Sequence, residues 1–384
     1  MVQLVRNGVS QRSAASQFGV SLNTVQRWLR RAADAPLEQV DWSDQTPGAS
    51  ESPKRCDAKL EDRVLAIRKT LKEDSSLGEY GAQAIHQEMQ QRGLQRIPSL
   101  RTIGRILERR GALDGRRRVR RQAPPPGWYL LDLAARRVEL DSFDIVEGLV
   151  IEGGQEVVVL NGMSLFGGLC CSWPEANMTA IFTVQALLEH WRQQGLPAYV
   201  KFDNDTVFQG AHQWPDSFGR VTRMCLSLGV TPVFAPPLQS GFQADIEAFN
   251  GRWQEKVWKR FHFHTLADVK RQSRLFVTAH RKKNAERIED APRRRSFPKD
   301  WTLNLQAPLT GRVVYVRKTN EAGCVCVLGH TWEASKLWCH RLVRVDVDLT
   351  AREVRIYALR RREPANHTLL ATHEYVPPTK RFHE

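Results

Sequence analysis

The sequence predicts a multidomain chain with helix-turn-helix units at the N-terminus, a central α/β domain on a mixed sheet, and a small β-barrel at the C-terminus. Three observations predict it. Residues 10–31 hold two serine-capped helical patterns around a glycine. From about residue 136 the apolar period becomes strand-like and then alternates strands with helices. Beyond residue 312 only short strands and turn residues follow.

A chain of 384 residues, 41% hydrophobic, is too long for one ordinary domain and can bury at least one sizeable core. Its formal charge of +15 favours a polyanionic partner, nucleic acid ahead of an acidic membrane surface. No window approaches the apolar length that spans a bilayer, and the first residues lack a signal pattern, so an intracellular protein without a membrane partner is expected. The 7 cysteines form neither an even framework nor paired knuckles, which argues against a disulfide scaffold. Zinc on Cys324, Cys326, His330, Cys339 and His340 competes with a plainer reading of these residues as partly buried structural groups.

Taken in order, residues 1–35 form the first DNA-binding unit. Ser10 caps Gln11 to Phe18, Gly19 turns the chain, and Ser21 caps a helix from Leu22 to about Arg31, with room for only a brief helix before them. Ala14, Ala15, Phe18, Val20, Val25 and Trp28 make the core. Asn23, Thr24, Gln26, Arg27 and Arg30 then face outward on a recognition helix, unless the pair is merely a solvated amphipathic hairpin.

Residues 36–55, rich in Pro, Ser, Asp and Gly, read as a linker. Residues 56–113 read as a second, winged-helix-like unit. Leu60, Val64, Ile67 and Leu71 share one face, a helix ends at Gly93, and another opens at Ser99 and ends at Gly111. Arg101, Arg105 and Arg109 repeat along the face of that last helix. Residues 114–135 pair a basic run with prolines that stop any helix, and Arg117 and Arg118 are offered to phosphates.

Residues 136–290 carry the α/β pattern. "RRVELDSFDIV", "QEVVVLN" and "GGLCCSW" read as strands, followed by a helix from about Thr179 to Gln194, a strand "AYVKF", a helix near Val221–Leu228, a strand "VTPVFA" and a long helix from about Ala244. Asp141, Asp203 and Glu247 stand at the ends or starts of these elements. Converging carboxylates raise one another's pKa, a poor arrangement without a cation. Hard divalent ions reverse the problem, and Mg2+ takes oxygen ligands, keeps waters and suits phosphates. On the last helix Ile246, Phe249, Trp253 and Val257 pack inward, while Glu247, Asn250 and Gln254 share another face. Residues 300–375, with "GRVVYVRK", "GCVCVLG", "TWEASKLW", "RLVRVDVDL" and "EVRIYAL", supply the barrel-like strands.

The order of "LDSF", "FDNDTVF" and "DIEAFNGRWQ" resembles the catalytic core of the DDE transposases and retroviral integrases, an RNase H-like fold. It most resembles bacterial insertion-sequence transposases that carry helix-turn-helix units ahead of an integrase-type core. The resemblance implies Asp141, Asp203 and Glu247 as the catalytic, metal-binding acids, with two Mg2+ ions and Mn2+ able to substitute. Asn204, Phe208 and Asn250 match the family pattern, and Asn250 and Gln254 are expected to touch DNA. The implied activity is nicking and strand transfer at the ends of a mobile element. Double-stranded DNA at the element ends and at the target would be the partner, with a homo-oligomer on DNA in the bacterial cytoplasm at the nucleoid.

The departures are specific. Asp205 stands where the family has glycine, in a place where left-handed backbone can be needed. Val207 replaces an acid, and "GAHQWPDSFGR" lengthens the spacing from Asp203 to Glu247 as a surface insertion. Asp144, three residues after Asp141 and on the opposite face of a regular strand, is the fallback for the first acid. Its sequence context favours Asp141. The competing functions are a non-catalytic DNA-binding protein, such as a repressor or a domesticated remnant, and an RNase H or structure-specific nuclease.

Overall fold

A computed structural model describes residues 1–43, 56–113, 125–211, 213–237, 239, 241–361, 363–377 and 382. They divide into two units, Met1–Glu61 and Asp62–Glu384.

The first unit holds α1 (Val2–Arg6), α2 (Gln11–Gln17) and α3 (Leu22–Ala32), and serine caps start the last two. Ser10 Oγ accepts from the Ser13 amide at 3.1 Å and Ser21 Oγ from the Thr24 amide at 3.2 Å, each satisfying an otherwise orphaned helix donor. Gly19 takes the left-handed conformation, φ +63°, that the tight turn needs. Val2, Ala14, Ala15, Val25 and Ala32 make the core. Phe18 and Val20, expected in that core, are 48% and 37% exposed. The alanines bring the helices close and α1 fills the remaining space, so neither side chain finds room inside.

Helix α4 (Ala58–Asp74) begins four residues before the second unit, in which it, α5 (Ala82–Gln91) and α6 (Leu100–Arg109) bury Val64, Ile67, Ile85, Met89, Ile103, Ile106 and Leu107. Ser99 caps α6 as its spacing predicts. After α7 (Leu131–Ala134) come β1 (Leu140–Val150), β2 (Glu156–Ser164) and β3 (Cys170–Glu175). Next are α8 (Ala180–Gln194), β4 (Tyr199–Phe202), α9 (Thr206–Gln209), α10 (Arg220–Ser227) and β5 (Thr231–Phe234). Three helices follow: α11 (Ala244–Lys256), α12 (Leu266–Lys283) and α13 (Ala285–Glu289). The chain then forms β6 (Arg312–Lys318), β7 (Cys324–Val327), β8 (His330–Glu333), β9 (Leu342–Asp348), β10 (Glu353–Ala358) and β11 (Leu369–Glu374).

The C-terminal strands do not close a barrel of their own. Among the described residues, one open sheet runs β11-β10-β9-β6-β5-β4-β1-β2-β3, and β7 and β8 form a separate hairpin. β1, β4, β5 and β6 pair in parallel, while β1–β2–β3 and β6–β9–β10–β11 pair antiparallel. The reason lies in "VVYV": Val313, Val314, Tyr315 and Val316 are all buried, a continuous apolar run that suits a strand covered on both faces rather than one lining a small barrel. Helices α8 and α10 cover one face of the sheet beside Phe143, Val200 and Phe202, and α11 packs Ile246, Phe249 and Trp253 on the other beside Val146, Val157 and Val159. The two faces put different chemistry on each side of β1.

Candidate acidic site

Alternation along β1 separates its two aspartates. Asp141 points to the α8 side with Phe143, and Asp144 points to the α11 side with Ser142 and Val146. Asp141 is 1% exposed and fully engaged. The Arg294 guanidinium grips both of its oxygens, with Nη1 at 3.0 Å from Oδ2, and the Trp191 indole donates to Oδ2 at 3.0 Å. Burial beside this pair lowers the His190 pKa to about 3, so the imidazole stays neutral. The sequence-based preference for Asp141 as the first acid therefore meets a buried ion pair, and the fallback Asp144 occupies the face where the other acids stand.

Asp144 is half-buried, and burial followed by the negative charges of Asp203 and Glu247 raises its pKa to about 6. Asn250 Nδ2 donates to its Oδ2 at 2.7 Å, and Asn161, directly opposite on β2, donates to Asn250 Oδ1 at 2.9 Å. Asn250 is 8% exposed, and its side-chain amide is engaged by Asp144 and Asn161. Helix periodicity explains it: α11 faces the sheet across a stripe wide enough to include Asn250 beside Phe249 and Trp253, while Glu247 in the first turn stays exposed.

Asp203 follows the last residue of β4, half-buried, and its Oδ1 accepts the Asp205 amide at 3.0 Å. Asp205 does not need the left-handed backbone expected there. At φ −63° and ψ 144° it is the N-cap of α9, its Oδ1 accepting the Val207 amide at 2.7 Å, a role that aspartate fills better than glycine. Asn204 donates to the Ala235 carbonyl at 2.9 Å and accepts from Arg317 Nη2 at 2.7 Å. Phe208 stacks on Phe202 at 4.5 Å and anchors α9 in the core.

One residue that sequence reading passed over belongs to this face. Lys201 lies two positions before Asp203 on β4 and pairs in register with Ser142, yet it is 2% exposed. Its Nζ donates to the Phe242 carbonyl at 2.6 Å, tying β4 to the segment that enters α11. Burial lowers its pKa to about 8, against the opposing pull of Asp245 and Glu247. The signal was a lysine at an inward position of the apolar run "YVKF".

Residues 1–37 match the family model of the homeodomain-like domain. The N-terminal unit carries a homeodomain-like domain. Among solved structures, the chain is similar to the catalytic core domain of BIV integrase at 15% identity, over 36% of this chain and 81% of that one, with a TM-score of 0.28. It is also similar to the simian T-cell lymphotropic virus intasome in complex with PP2A regulatory subunit B56 gamma, at 12% identity over 70% and 87% of the two chains with a TM-score of 0.33. The HTLV-2 integrase catalytic core domain in complex with magnesium matches at 13% identity over 42% and 88%, with a TM-score of 0.27. No curated protein sequence matches the chain. At these TM-scores the reading of the acids rests on their own geometry.

In the homeodomain-like domain, Asn23, Arg27 and Arg30 are exposed on α3, while Thr24 and Gln26 are half-buried. Thr24 Oγ1 lies 2.9 Å from Ser21 Oγ in the cap. Arg31 lies over the Trp28 ring at 5.2 Å, and Trp28 meets Trp42 at 5.5 Å. On α6, Arg101, Arg105 and Arg109 are exposed along one face. This helical unit is fastened to the end of α11: Arg260 donates to the Glu73 carbonyl at 2.6 Å and to that of Ser75, and Lys256 lies 5.0 Å over the Tyr80 ring. Gln254 is half-buried on α11. Arg117 and Arg118 lie outside the described residues.

Among the described residues, no three His, Cys, Asp or Glu side chains stand close enough to hold a metal ion as they are. His330, considered for zinc, instead meets Asp216 at 2.9 Å. The acids of the α11 face nevertheless fit a hard cation: the donors are carboxylate oxygens, and their mutual repulsion acts on the half-buried Asp144. Mg2+ commonly takes only one or two protein carboxylates and completes its shell with water and phosphate oxygens, which does not require a preformed cage. Among the described residues, no helix is long and apolar enough to cross a membrane.

Proposed function

We propose that the chain is a DDE-type transposase, a polynucleotidyl transferase that binds the ends of a mobile element through its helix-turn-helix units and nicks and joins DNA at Asp144, Asp203 and Glu247. The observation that carries this reading is the placement of the acids: Asn250 of α11 donates to Asp144 at 2.7 Å, Glu247 lies one turn before Asn250 on the same helix, and Asp203 follows the end of β4, the parallel neighbour of β1. Asp144, Asp203 and Glu247 would hold Mg2+ through their oxygens. When bound, Mg2+ supplies activation of the attacking oxygen and stabilisation of the leaving one in an in-line displacement at phosphorus.

The chain's own residues do the positioning. Asn161 and Asn250 hold Asp144 by a relay of hydrogen bonds, the Asp205 amide orients Asp203, and Lys201 fixes the entry to the helix that carries Glu247. Glu247, exposed on the first turn of α11, is accessible to a cation that would bridge it to a DNA phosphate. The formal charge of +15 suits a DNA duplex on which two ends are gathered by more than one copy of the chain. A bacterial cytoplasmic, nucleoid-associated location and use of two metal ions, with Mn2+ substituting, belong to the same proposal.

Incubating the full chain with Mg2+ and DNA carrying the sequences that flank its gene tests the reading. Nicked or joined products support it. Specific binding with no product under Mg2+ or Mn2+ selects the non-catalytic DNA-binding alternative.

A further inference from the structure

Residues 36–55 read as a linker from sequence, yet their described part, 36–43, folds back on the first unit. The reversal begins at Ala33, whose φ of +39° is a conformation that an alanine adopts only at a cost. Arg6 Nη2 holds that turn by donating to the Ala33 carbonyl at 2.6 Å. The chain then makes one helical turn, Leu37–Gln39, and the Trp42 indole donates to the Leu37 carbonyl at 3.1 Å, closing the segment on itself. The Trp42 ring meets that of Trp28 on α3 at 5.5 Å. Asp41 lies 3.5 Å from Arg31 Nη2, a second link to the same helix.

Trp28 touches more than Trp42. Arg31 lies over its ring at 5.2 Å and Arg27 at 5.6 Å, the two arginines standing four positions apart along one side of the helix. They differ in what else they meet. Arg31 is half-buried and tied to Asp41, whereas Arg27 is exposed and its guanidinium makes no hydrogen bond or ion pair among the described residues. Arg27 also stands between Asn23 and Arg30 on the exposed face of α3. A long cationic side chain loses rotamer freedom when it grips a phosphate, and a ring that already holds it removes part of that loss. Trp28 holds Arg27 in this way only while its own ring is fixed. Trp42, itself 42% exposed, fills no core and lies where it fixes that ring.

We infer that Trp42 is a positioning residue for DNA binding: it fixes Trp28, and Trp28 holds Arg27 ready for a backbone phosphate of the duplex. The DNA-binding unit then extends past residue 37, where the homeodomain-like match ends, to Trp42. The inference rests on the proposed reading of this unit as one that binds DNA, and it adds to that unit a segment that the sequence assigns to a linker.

The test measures binding of the full chain, in EDTA, to a short fluorescein-labelled duplex of mixed sequence by anisotropy at several salt concentrations. Trp42→Ala, a change at an exposed site, should weaken binding about 2- to 10-fold and lower the salt slope by up to about 1. Trp42→Phe should restore most of the affinity. In an Arg27→Ala background, Trp42→Ala should cost less than about 2-fold, because the side chain it positions is gone. A merely structural Trp42 would weaken binding by the same factor in both backgrounds. Equal binding by wild type and Trp42→Ala, an equal loss in both backgrounds, or no binding by wild type overturns the inference. Because no divalent cation is present, failure to nick bound DNA in Mg2+ counts against the transposase reading alone and leaves these affinities standing.

Discussion

Replacing Asp141 by asparagine should unfold the α/β unit far more readily without touching the chemistry directly. The carboxylate is 2% exposed and Arg294 only 13%, and they meet through two hydrogen bonds. Removing one partner of such a pair leaves a buried charge uncompensated, which costs about 3–5 kcal/mol. The lower end applies here, because Arg294 also donates to the Gly195 carbonyl at 3.1 Å and the asparagine keeps an oxygen for Trp191. For a unit of this size about 3 kcal/mol corresponds to a fall of roughly 4 °C in Tm. Thermal and urea unfolding followed by near-ultraviolet circular dichroism measures it. Asp144→Asn removes a repelling charge from a half-buried cluster and should leave stability within about 1 kcal/mol of wild type or raise it. The double variant Asp141→Leu, Arg294→Met removes both charges and should recover much of the loss. If Asp141→Asn is as stable as wild type while Asp144→Asn is strongly destabilised, the assignment of the two faces of β1 is refuted.

Three further outcomes follow from the same geometry. The Asp144 pKa of about 6 lies above the ordinary 3.8, so the metal-free native state holds a proton that the unfolded chain has released. Stability attributable to this group is present at low pH and is lost as pH rises through about 4 to 6. Mg2+ should therefore raise Tm at pH 7.5, where the charged carboxylates repel, and much less near pH 5; a metal effect independent of pH contradicts this. Arg27→Ala should weaken duplex binding and lower the salt slope by about 1, read by fluorescence anisotropy at several salt concentrations. Lys201→Met removes the hydrogen bond to the Phe242 carbonyl and should speed amide hydrogen exchange at Gln243–Glu247 while exchange in β10 stays the same.

Local signals were legible where the physics is local. Ser10, Ser21 and Ser99 announced helix starts, and Ile246, Phe249, Trp253 and Val257 announced the buried stripe of α11. The choice between Asp141 and Asp144 was not local: it depends on which face α8 and α11 each cover and on Arg294, which lies 153 positions away from Asp141 in the chain. The parallel pairing of β6 with β5 is likewise a long-range event, hinted at only by the unbroken apolar run from Val313 to Val316. Asp205 shows a different limit, because the sequence alone does not tell a left-handed turn from a helix cap, and aspartate suits both.

The central claim, metal-dependent DNA chemistry at Asp144, Asp203 and Glu247, is tested most directly by product formation. Wild type and Asp144→Asn, each first shown to be folded and to bind duplex DNA, are incubated with Mg2+ and labelled DNA bearing the sequences that flank the gene, and strands are resolved on a denaturing gel. The account predicts nicked and joined strands from wild type and none from Asp144→Asn. Undiminished product from Asp144→Asn, or none from wild type on DNA that it binds specifically, would contradict it.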